Sequence, residues 1–228
     1  MRVVSERIRQ SLDKGKISLR RNSTILPVYF NTPPQIPSGK NLRQIYPQFE
    51  NIIFMASRLT SEKNISLALN VFVDVLKNRP KTGLVVVGSG PLENRLQKEV
   101  GELNIEKNVV FEPWQSDLAP YYQSTDIFLL TSNFEGFGLT LIESALSGCP
   151  IVTTDVGEAS FTLKDSEGAL VCPVGDEKCL VDSVLKIFTD TTLANRLKNE
   201  SQRVASILVL SKEEYLTRMK TSWERIIT

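Results

Sequence analysis

Two glutamates stand eight positions apart in the stretch SNFEGFGLTLIESALSGCPIV, and two glycines follow the first of them. Glu135 lies at the mouth of the stretch, Gly136 and Gly138 come next, and Glu143 lies within an apolar segment of helical spacing. Glycine lets the backbone pass close to a ligand, and the unpaired amides of a helix start attract phosphate. A carboxylate also accepts hydrogen bonds from sugar hydroxyls. The pattern suits a phosphate beside a polyol, and a solvated helix face and an acidic helix start account for the two glutamates equally well.

Positive charge to match such a ligand comes from the segment ASRLTSEKN, which continues the apolar run NIIFMAS. It places Arg58 and Lys63 in the loop after a predicted strand or just beyond that loop. In a doubly wound α/β fold, ligands bind outside the carboxyl ends of the strands. Basic residues in loops are usually only solvated, but these two share the predicted ligand edge with the glycine-rich helix start. That convergence favours an anion-binding role for both.

A second glycine-containing turn, GSGPLENR, follows a predicted strand and opens a predicted helix. Glu93 occupies the position of the third glycine in the dinucleotide-binding fingerprint, so a standard dinucleotide site is disfavoured. Gly88 and Gly90 instead fit a tight strand-to-helix turn, with Pro91 at the helix start. The sequence contains no G-x-x-x-x-G-K-[ST] motif, which argues against a phosphate loop of the ATPase type.

The composition is that of a globular protein, since the 228 residues are 41% hydrophobic and 23% charged, with a net charge of +1. A charge so near zero gives no support to nucleic-acid binding. Histidine is absent, which removes the commonest general base, the usual zinc ligand and every Ser-His or Cys-His nucleophile. Carboxylates, lysines, arginines and backbone amides must then carry any chemistry. The cysteines Cys149, Cys172 and Cys179 are odd in number and lack C-x-x-C spacing, so they are predicted to be small core residues in a reducing compartment.

Short apolar runs alternate with helical patterns over most of the chain, which predicts a doubly wound, Rossmann-like α/β domain with a parallel sheet buried on both faces. Strands are expected in TILPVYF, NIIFMAS, GLVVVG, NVVFEP, DIFLLT, PIVTTD and GALVCP. Helices are expected around residues 65–76 and 139–146, and in DEKCLVDSVLKIFTD, TLANRLKNESQRVASIL and SKEEYLTRMKTSWERII. In the last of these, Ser211 and Glu214 form a capping-box signature.

The alternation is interrupted at residues 31–47, where four prolines and a glycine predict a linker into a domain that starts near Asn51. A helical fragment, VVSERIRQSL, and one strand precede this linker. Residues 1–21 carry seven basic and two acidic side chains, which form a solvated face or, alternatively, attract an anionic membrane or partner. No apolar run approaches the roughly 18 residues of a membrane-spanning helix, and no signal-peptide pattern opens the chain, so we expect a cytoplasmic protein.

Together these elements resemble the donor-binding half of a retaining GT-B glycosyltransferase of family 4, the glycosyl transferases group 1. The resemblance extends from about residue 52 to the C-terminus. It rests on the R-x4-K pair in SRLTSEK, on the E-x7-E motif with GFGLTLIE inside it, and on the later segments GCPIVTTDVGE and GALVCPVGD. It implies the C-terminal domain of a GT-B fold, with a nucleotide-diphosphate sugar as substrate and with neither a metal nor a cofactor.

The resemblance also implies a role for each matching residue. Arg58 and Lys63 would contact the diphosphate, Glu135 would touch the transferred sugar, and these three form the predicted catalytic set. Glu143 would hold the ribose hydroxyls. The remaining donor-binding residues supply backbone amides to the diphosphate cradle or flank the base: Gly136, Phe137, Gly138, Leu139 and Thr140 for the cradle, and Phe111 and Trp114 for the base.

The chain departs from the family pattern at two places. DVGEAS stands where relatives often have a double glycine followed by a glutamate, which puts the sugar contact of that loop in doubt. The resemblance also implies an N-terminal acceptor domain of comparable size, of which we expect only a remnant in this sequence. We therefore interpret residues 1–48 as its remnant and linker, 49–208 as the donor-binding domain, and 209–228 as a helix that packs on the missing domain. That helix carries Tyr215, Met219 and Trp223, an apolar stripe that we expect to be exposed.

The prediction is thus the donor domain of a retaining glycosyltransferase that acts in polysaccharide, lipopolysaccharide or glycolipid synthesis, in the cytoplasm or peripherally at the inner face of the membrane. A missing N-terminal domain or a partner chain would complete the cleft, and the chain alone would be inactive or weakly active. Two alternatives remain: a non-catalytic nucleotide-sugar-binding or partner subunit, and a fragment of a nucleotide-sugar epimerase. The retained cations and glutamates argue against the first. The E-x7-E segment and the absence of histidine argue against the second.

Overall fold

The computed structural model describes residues 2–14, 23–30 and 41–227. In chain order its elements are β1 (Arg2–Val3), α1 (Glu6–Lys14), β2 (Thr24–Ile25), α2 (Leu42–Ile45), β3 (Asn51–Ala56), a 3₁₀ turn (Ser61–Lys63), α3 (Ile65–Asn78), β4 (Thr82–Val87), α4 (Glu93–Glu102), β5 (Val109–Glu112), α5 (Ala119–Ser124), β6 (Ile127–Leu130), α6 (Leu139–Leu146), β7 (Ile151–Thr154), β8 (Leu170–Cys172), α7 (Glu177–Thr189), α8 (Thr191–Ser206) and α9 (Lys212–Ile227).

Six of the strands form one parallel sheet, in the order β5-β4-β3-β6-β7-β8. Strand β3 pairs with β4 on one side and with β6 on the other, so the strand order reverses between β3 and β6. Open α/β sheets bind ligands at such a reversal, outside the carboxyl ends of the two strands. The loops after β3 and β6 are therefore where this topology positions a site.

The strands read as continuous apolar runs because both faces of the sheet are covered. Ile53 and Met55 join a cluster with residues of α3, α4 and α7 on one face. Phe54 joins the other cluster, with residues of α5 and α6. Successive side chains of a strand point to opposite faces, so alternate residues of β3 enter different clusters. The predicted doubly wound α/β architecture is confirmed.

Several elements differ from the prediction. The helices α2 and α5 are not predicted from the sequence, and α5 has only six residues. The segment TILPVYF forms a strand only at β2, which pairs with β1 outside the main sheet. Helix α2 lies in the segment interpreted as a linker, and residues 31–40 of that linker lie outside the described residues.

Cys172 and Cys179 pack in the core as predicted, but the reduced thiols expected of a reducing compartment are wrong for these two residues. Cys172, at the end of β8, and Cys179, in the first turn of α7, are joined by a disulfide. The turn between β8 and α7 brings these residues, seven positions apart, to a Cα–Cα distance of 5.7 Å, which a disulfide can bridge. Cys149 is free and buried, as predicted.

Helix α9 contacts the N-terminal residues of the chain. Tyr215 is 8% exposed, and its phenol oxygen accepts a hydrogen bond from Arg2 Nη2 at 2.6 Å. Its ring centroid lies 5.1 Å from that of Tyr29. Ser211 and Glu214 form the predicted capping box, with both hydrogen bonds at 3.1 Å. Over residues 2–14, 23–30 and 41–227, no helix has the length and apolar character needed to cross a bilayer.

Candidate functional site

The loops after β3 and β6 leave the sheet side by side and are hydrogen-bonded to each other. The amide of Asn133 donates to Glu62 O at 2.8 Å, and Thr131 Oγ1 donates to Asn64 O at 3.0 Å. The side chains of Asn64 and Asn133 are also bonded, at 3.1 Å. The two loops therefore form one continuous surface at the reversal of strand order.

Lys63 and Glu135 form an ion pair at this surface. Lys63 Nζ lies 2.6 Å from Glu135 Oε1, and the two side chains are only 14% and 12% exposed. Ser132 Oγ donates to the same carboxylate oxygen at 2.9 Å. Water and salt screen such a shielded pair much less than they screen an exposed one. The second predicted cation and the first glutamate are thus in direct contact, at the edge where the sequence places both.

Arg58 lies on the outer side of the loop after β3. Its side chain is 75% exposed, and its guanidinium lies 3.4 Å from the carboxylate of Glu62. Arg58 borders a cleft of about 140 Å³ together with Ser57, Trp114 and Thr140. Trp114 is 68% exposed and offers an aromatic face on which a base can stack. The cleft brings together a predicted cation, a predicted base-flanking residue and the first turn of α6.

The glycine turn opens α6 next to Glu135. Gly138 is the N-cap residue of α6, with φ of 80°, a conformation that favours glycine. A Cβ at Gly136 would meet nothing within 4 Å, so the space beside this residue is open. Within the described part of the chain, the amides of Phe137 and Gly138 have no hydrogen-bond acceptor. Free amides at the positive end of a helix dipole suit a phosphate.

Glu143 lies one turn after Thr140 on α6 and is half-buried. The phenol of Tyr122, on α5 and 1% exposed, donates to Glu143 Oε2 at 3.2 Å. Burial raises the pKa of the Glu143 carboxyl above its ordinary value of 4.5, and the hydrogen bond from Tyr122 partly offsets that rise. Burial also raises the pKa of Tyr122 well above its ordinary value, so the phenol stays protonated as the donor. The sequence did not single out Tyr122, because α5 is too short to show a helical pattern.

The side chain of Phe111, at the third position of β5, packs against the core of the sheet. It is half-buried against the cluster on the α3 and α4 face of the sheet, and its place beside the base stays a prediction. The other glycine turn behaves as a tight turn. A Cβ at Gly88 would lie 1.9 Å from Ser57 O, and one at Gly90 would lie 2.5 Å from Leu59 O. Close backbone approach therefore requires both glycines.

Comparisons with known proteins identify relatives of this chain. The family model described as Glycosyl transferases group 1 matches residues 41–204. The alpha-monoglucosyldiacylglycerol synthase of Streptococcus pneumoniae is 40% identical over 105 residues, which cover 45% of this chain and 24% of that protein. The UDP-N-acetylglucosamine–peptide N-acetylglucosaminyltransferase GtfA subunit of Streptococcus gordonii is 27% identical over 208 residues, which cover 87% of this chain and 40% of that protein. The matched stretch thus spans less than half the length of either relative.

A solved structure shows the same fold. The pneumococcal O-GlcNAc transferase GtfA, in complex with UDP and GlcNAc, has a TM-score of 0.80 to this chain at 20% identity. The likeness covers 99% of this chain and 45% of that one. It confirms the α/β, GT-B type of architecture that the sequence predicts.

Proposed function

This chain belongs to the glycosyl transferases group 1, and we propose that it binds a nucleotide-diphosphate sugar as the donor domain of a retaining glycosyltransferase. The observation that carries the proposal is the meeting of three features at the reversal of strand order: the Lys63–Glu135 ion pair, the Arg58 cleft and the free amides of the glycine turn. Cations and free amides together suit a diphosphate, and nearby carboxylates suit the hydroxyls on either side of it.

In the proposed complex, Lys63 and Arg58 contact the diphosphate, and the backbone amides of residues 137–140 complete its cradle. Glu135 then faces the transferred sugar, and Glu143 accepts hydrogen bonds from the ribose. Trp114 flanks the base at the 140 Å³ cleft. Lys63 already contacts Glu135, so its ammonium is held by the carboxylate before the phosphates bind.

The chemistry of sugar transfer explains why these groups would matter. When the glycosyl–phosphate bond breaks, negative charge develops on the diphosphate leaving group. Fixed cations and the amides of a helix start stabilise that charge without reorganising. We propose that this positive potential serves in place of a metal or cofactor.

The acceptor side of the reaction is proposed to come from elsewhere. The matched stretches span 24% and 40% of the two curated relatives, and we propose that an N-terminal acceptor domain or a partner chain completes the cleft. Residues 209–228 would pack on that domain, covering Trp223, which is 58% exposed. One relative is named an alpha-monoglucosyldiacylglycerol synthase, which supports a role in glycolipid synthesis. Polysaccharide or lipopolysaccharide synthesis is the alternative pathway, and we propose that the protein is cytoplasmic and peripheral at the membrane.

Ligand-induced stabilisation tests the proposal, because a ligand that binds only the folded state must raise the midpoint of thermal unfolding. UDP, GDP and ADP sugars are screened against the chain, and we expect one base class to stabilise it. Lys63→Ala should lower the affinity for that ligand by about tenfold, the loss of one charge-assisted hydrogen bond. Lys81→Ala is the control, since Lys81 pairs with Glu50 in an exposed position. Failure of every nucleotide sugar to stabilise the chain would count against the proposal.

A further inference from the structure

Two side chains near the N-terminus hydrogen-bond to the loops of the candidate site. Ser5 Oγ donates to Gly136 O at 2.7 Å. Arg7 Nε donates to Gly157 O at 2.9 Å, and Arg7 Nη2 donates to Ala159 O at 2.8 Å. Ser5 is 1% exposed and the Arg7 side chain is 25% exposed, so these hydrogen bonds are largely shielded from water. The N-terminal segment therefore hydrogen-bonds to carbonyl groups of the glycine turn itself and of the neighbouring loop after β7.

The bond from Ser5 fixes the direction of one amide in that turn. A trans peptide unit is planar, and its carbonyl and its N–H point in opposite directions. The Gly136 carbonyl points toward Ser5, so the Phe137 N–H in the same peptide unit must point away from Ser5. Ser5 Oγ also accepts from Ile8 N at 3.2 Å, which anchors the hydroxyl to the first turn of α1.

The hydrogen bond from Arg7 fixes the direction of a second amide, that of Gly138, through two intervening peptide units. Arg7 holds the Gly157 carbonyl, and this sets the opposite direction for the Glu158 N–H. That N–H donates to Phe137 O at 2.9 Å, which in turn sets the direction of the Gly138 N–H. The approach of the two loops is tight, because a Cβ at Gly157 would lie 2.5 Å from Phe137 O.

We infer that Ser5 and Arg7 are positioning residues for the diphosphate of the donor, because they hold the Phe137 and Gly138 amides free to bind it. The inference rests on the proposed function of the glycine turn. Neither amide has an acceptor among residues 2–14, 23–30 and 41–227, and backbone N–H groups seldom stay unpaired in a folded protein. Both positioning residues precede the matched residues 41–204, so the segment before the family match belongs to the site.

The charge of Arg7 must be separated from its hydrogen bonds in any test. The guanidinium forms an ion pair with Asp155 and lies 5.0 Å from the ring centroid of Phe161. Loss of Arg7 alone would leave the Asp155 carboxylate unpaired, and that charge would itself repel a phosphate. Replacing both members of the pair removes this complication.

The experiment therefore compares Arg7→Ala/Asp155→Asn with the unaltered chain. The double change keeps the net charge and removes the hydrogen bonds from Arg7 to the loop after β7. Each protein is titrated with UDP, GDP and ADP and with the matching nucleosides, and binding is followed by NMR. We expect the affinity for the bound diphosphate to fall by about tenfold and that for its nucleoside to stay unchanged. Arg9→Ala breaks an ion pair with Glu6 on the same helix and should bind like the unaltered chain.

Ser5→Ala supplies a second test that does not depend on the folding of the double variant. It should weaken diphosphate binding several-fold and shift the Phe137 amide resonance, and Ser5→Thr, which keeps the hydroxyl, should restore both. Unchanged diphosphate affinity in the variants would overturn the inference, and so would an equal loss for diphosphate and nucleoside. If the unaltered chain binds none of the diphosphates, the proposed function fails and this inference fails with it.

Discussion

Lys63 Nζ lies 2.6 Å from Glu135 Oε1, and both side chains are largely buried where the diphosphate is proposed to bind. The ammonium is therefore engaged before a ligand arrives, and the carboxylate lowers the positive potential of the site. The pair thus has two opposing effects, since it orients Lys63 and also competes with the phosphates. The substitution Glu135→Gln separates orientation from competition, because the amide oxygen of glutamine still accepts a hydrogen bond from Lys63 but carries no net charge.

Glu135→Gln should raise the affinity for a nucleoside diphosphate by about fivefold, equivalent to about 1 kcal/mol. Calorimetry at low and high salt measures the change, which should depend little on salt because the Glu135 side chain is only 12% exposed. Glu50→Gln is the matched control, since Glu50 forms an exposed ion pair with Lys81 and should bind like the unaltered chain. Equal or weaker binding by Glu135→Gln would mean that the orienting effect of the charge outweighs its competition.

The edge at which Lys63 meets Glu135 follows from the sequence pattern. Parallel strands joined by helices present the loops after their carboxyl ends at one edge of the sheet, so residues that follow two apolar runs must share that edge. The pattern does not give the distance between them. The ion pair forms because β3 and β6 are neighbours, and that depends on the order of the strands in the sheet.

Other parts of the site depend on contacts that local patterns do not encode. Ser5 and Arg7 reach loops 131 and 150 positions away, and nothing in their spacing indicates those partners. The bond between Cys172 and Cys179 depends on the turn that joins β8 to α7, and a spacing of seven residues is compatible with free thiols as well. Phe111 packs against the face of the sheet that α3 and α4 cover, and the apolar run of β5 alone does not say which of the two faces each residue meets.

Nucleotide affinity should depend on the protonation of Glu143. The ionised carboxylate is the better acceptor for ribose hydroxyls, so affinity should fall as the pH drops through the pKa of Glu143. Burial raises that pKa, so the loss should begin above the ordinary value of 4.5. Titrations by calorimetry at several pH values measure the midpoint. Glu143→Gln should bind more weakly and lose this part of the pH dependence.

Tyr122→Phe tests whether the phenol acts through Glu143. The hydrogen bond from Tyr122 lowers the pKa of Glu143, so its removal should move the midpoint of the affinity curve to higher pH. At neutral pH the affinity should fall by about two- to tenfold for the ribonucleotide and should not change for its 2′,3′-dideoxy analogue. An equal loss for both ligands would assign Tyr122 a packing role only.

Glu158 should destabilise the protein when it is ionised. It is 6% exposed, and burial raises the pKa of its carboxyl more than the hydrogen bond from Thr162 and the charge of Arg7 lower it. A raised pKa means that the folded state holds the proton more tightly than the unfolded state. The contribution of Glu158 to stability is therefore fully present below the unfolded pKa, near 4.5, and is lost as the pH rises through the folded pKa.

Glu158→Gln should consequently raise the Tm at neutral pH by a few degrees, and the gain should disappear below the ordinary pKa of 4.5. Thermal unfolding followed by circular dichroism across this pH range measures the difference. Glu102→Gln, on the exposed face of α4, is the control and should change the Tm little at any pH. A gain that is the same at every pH would indicate better packing rather than removal of a buried charge.

Reduction of the Cys172–Cys179 disulfide should lower stability. The bond closes a loop whose ends are seven positions apart, and the chain-entropy relation gives about 2.5 kcal/mol for a loop of this size. In a chain of this length, 1 kcal/mol corresponds to about 2–4 °C, so a phosphine reductant should lower the Tm by about 5–10 °C. The double variant Cys172→Ala/Cys179→Ala lacks the bond, so its Tm should be below that of the oxidised unaltered chain and should not change when the reductant is added.

Thiol titration of the denatured protein checks the same bond directly. Because the chain has three cysteines and Cys149 is free, one thiol should react before reduction and all three after it. Cys149→Ala separates the two kinds of cysteine, since this variant should show no thiol before reduction. Three reactive thiols in the unreduced protein would contradict the disulfide and would remove the reason for the expected fall in Tm.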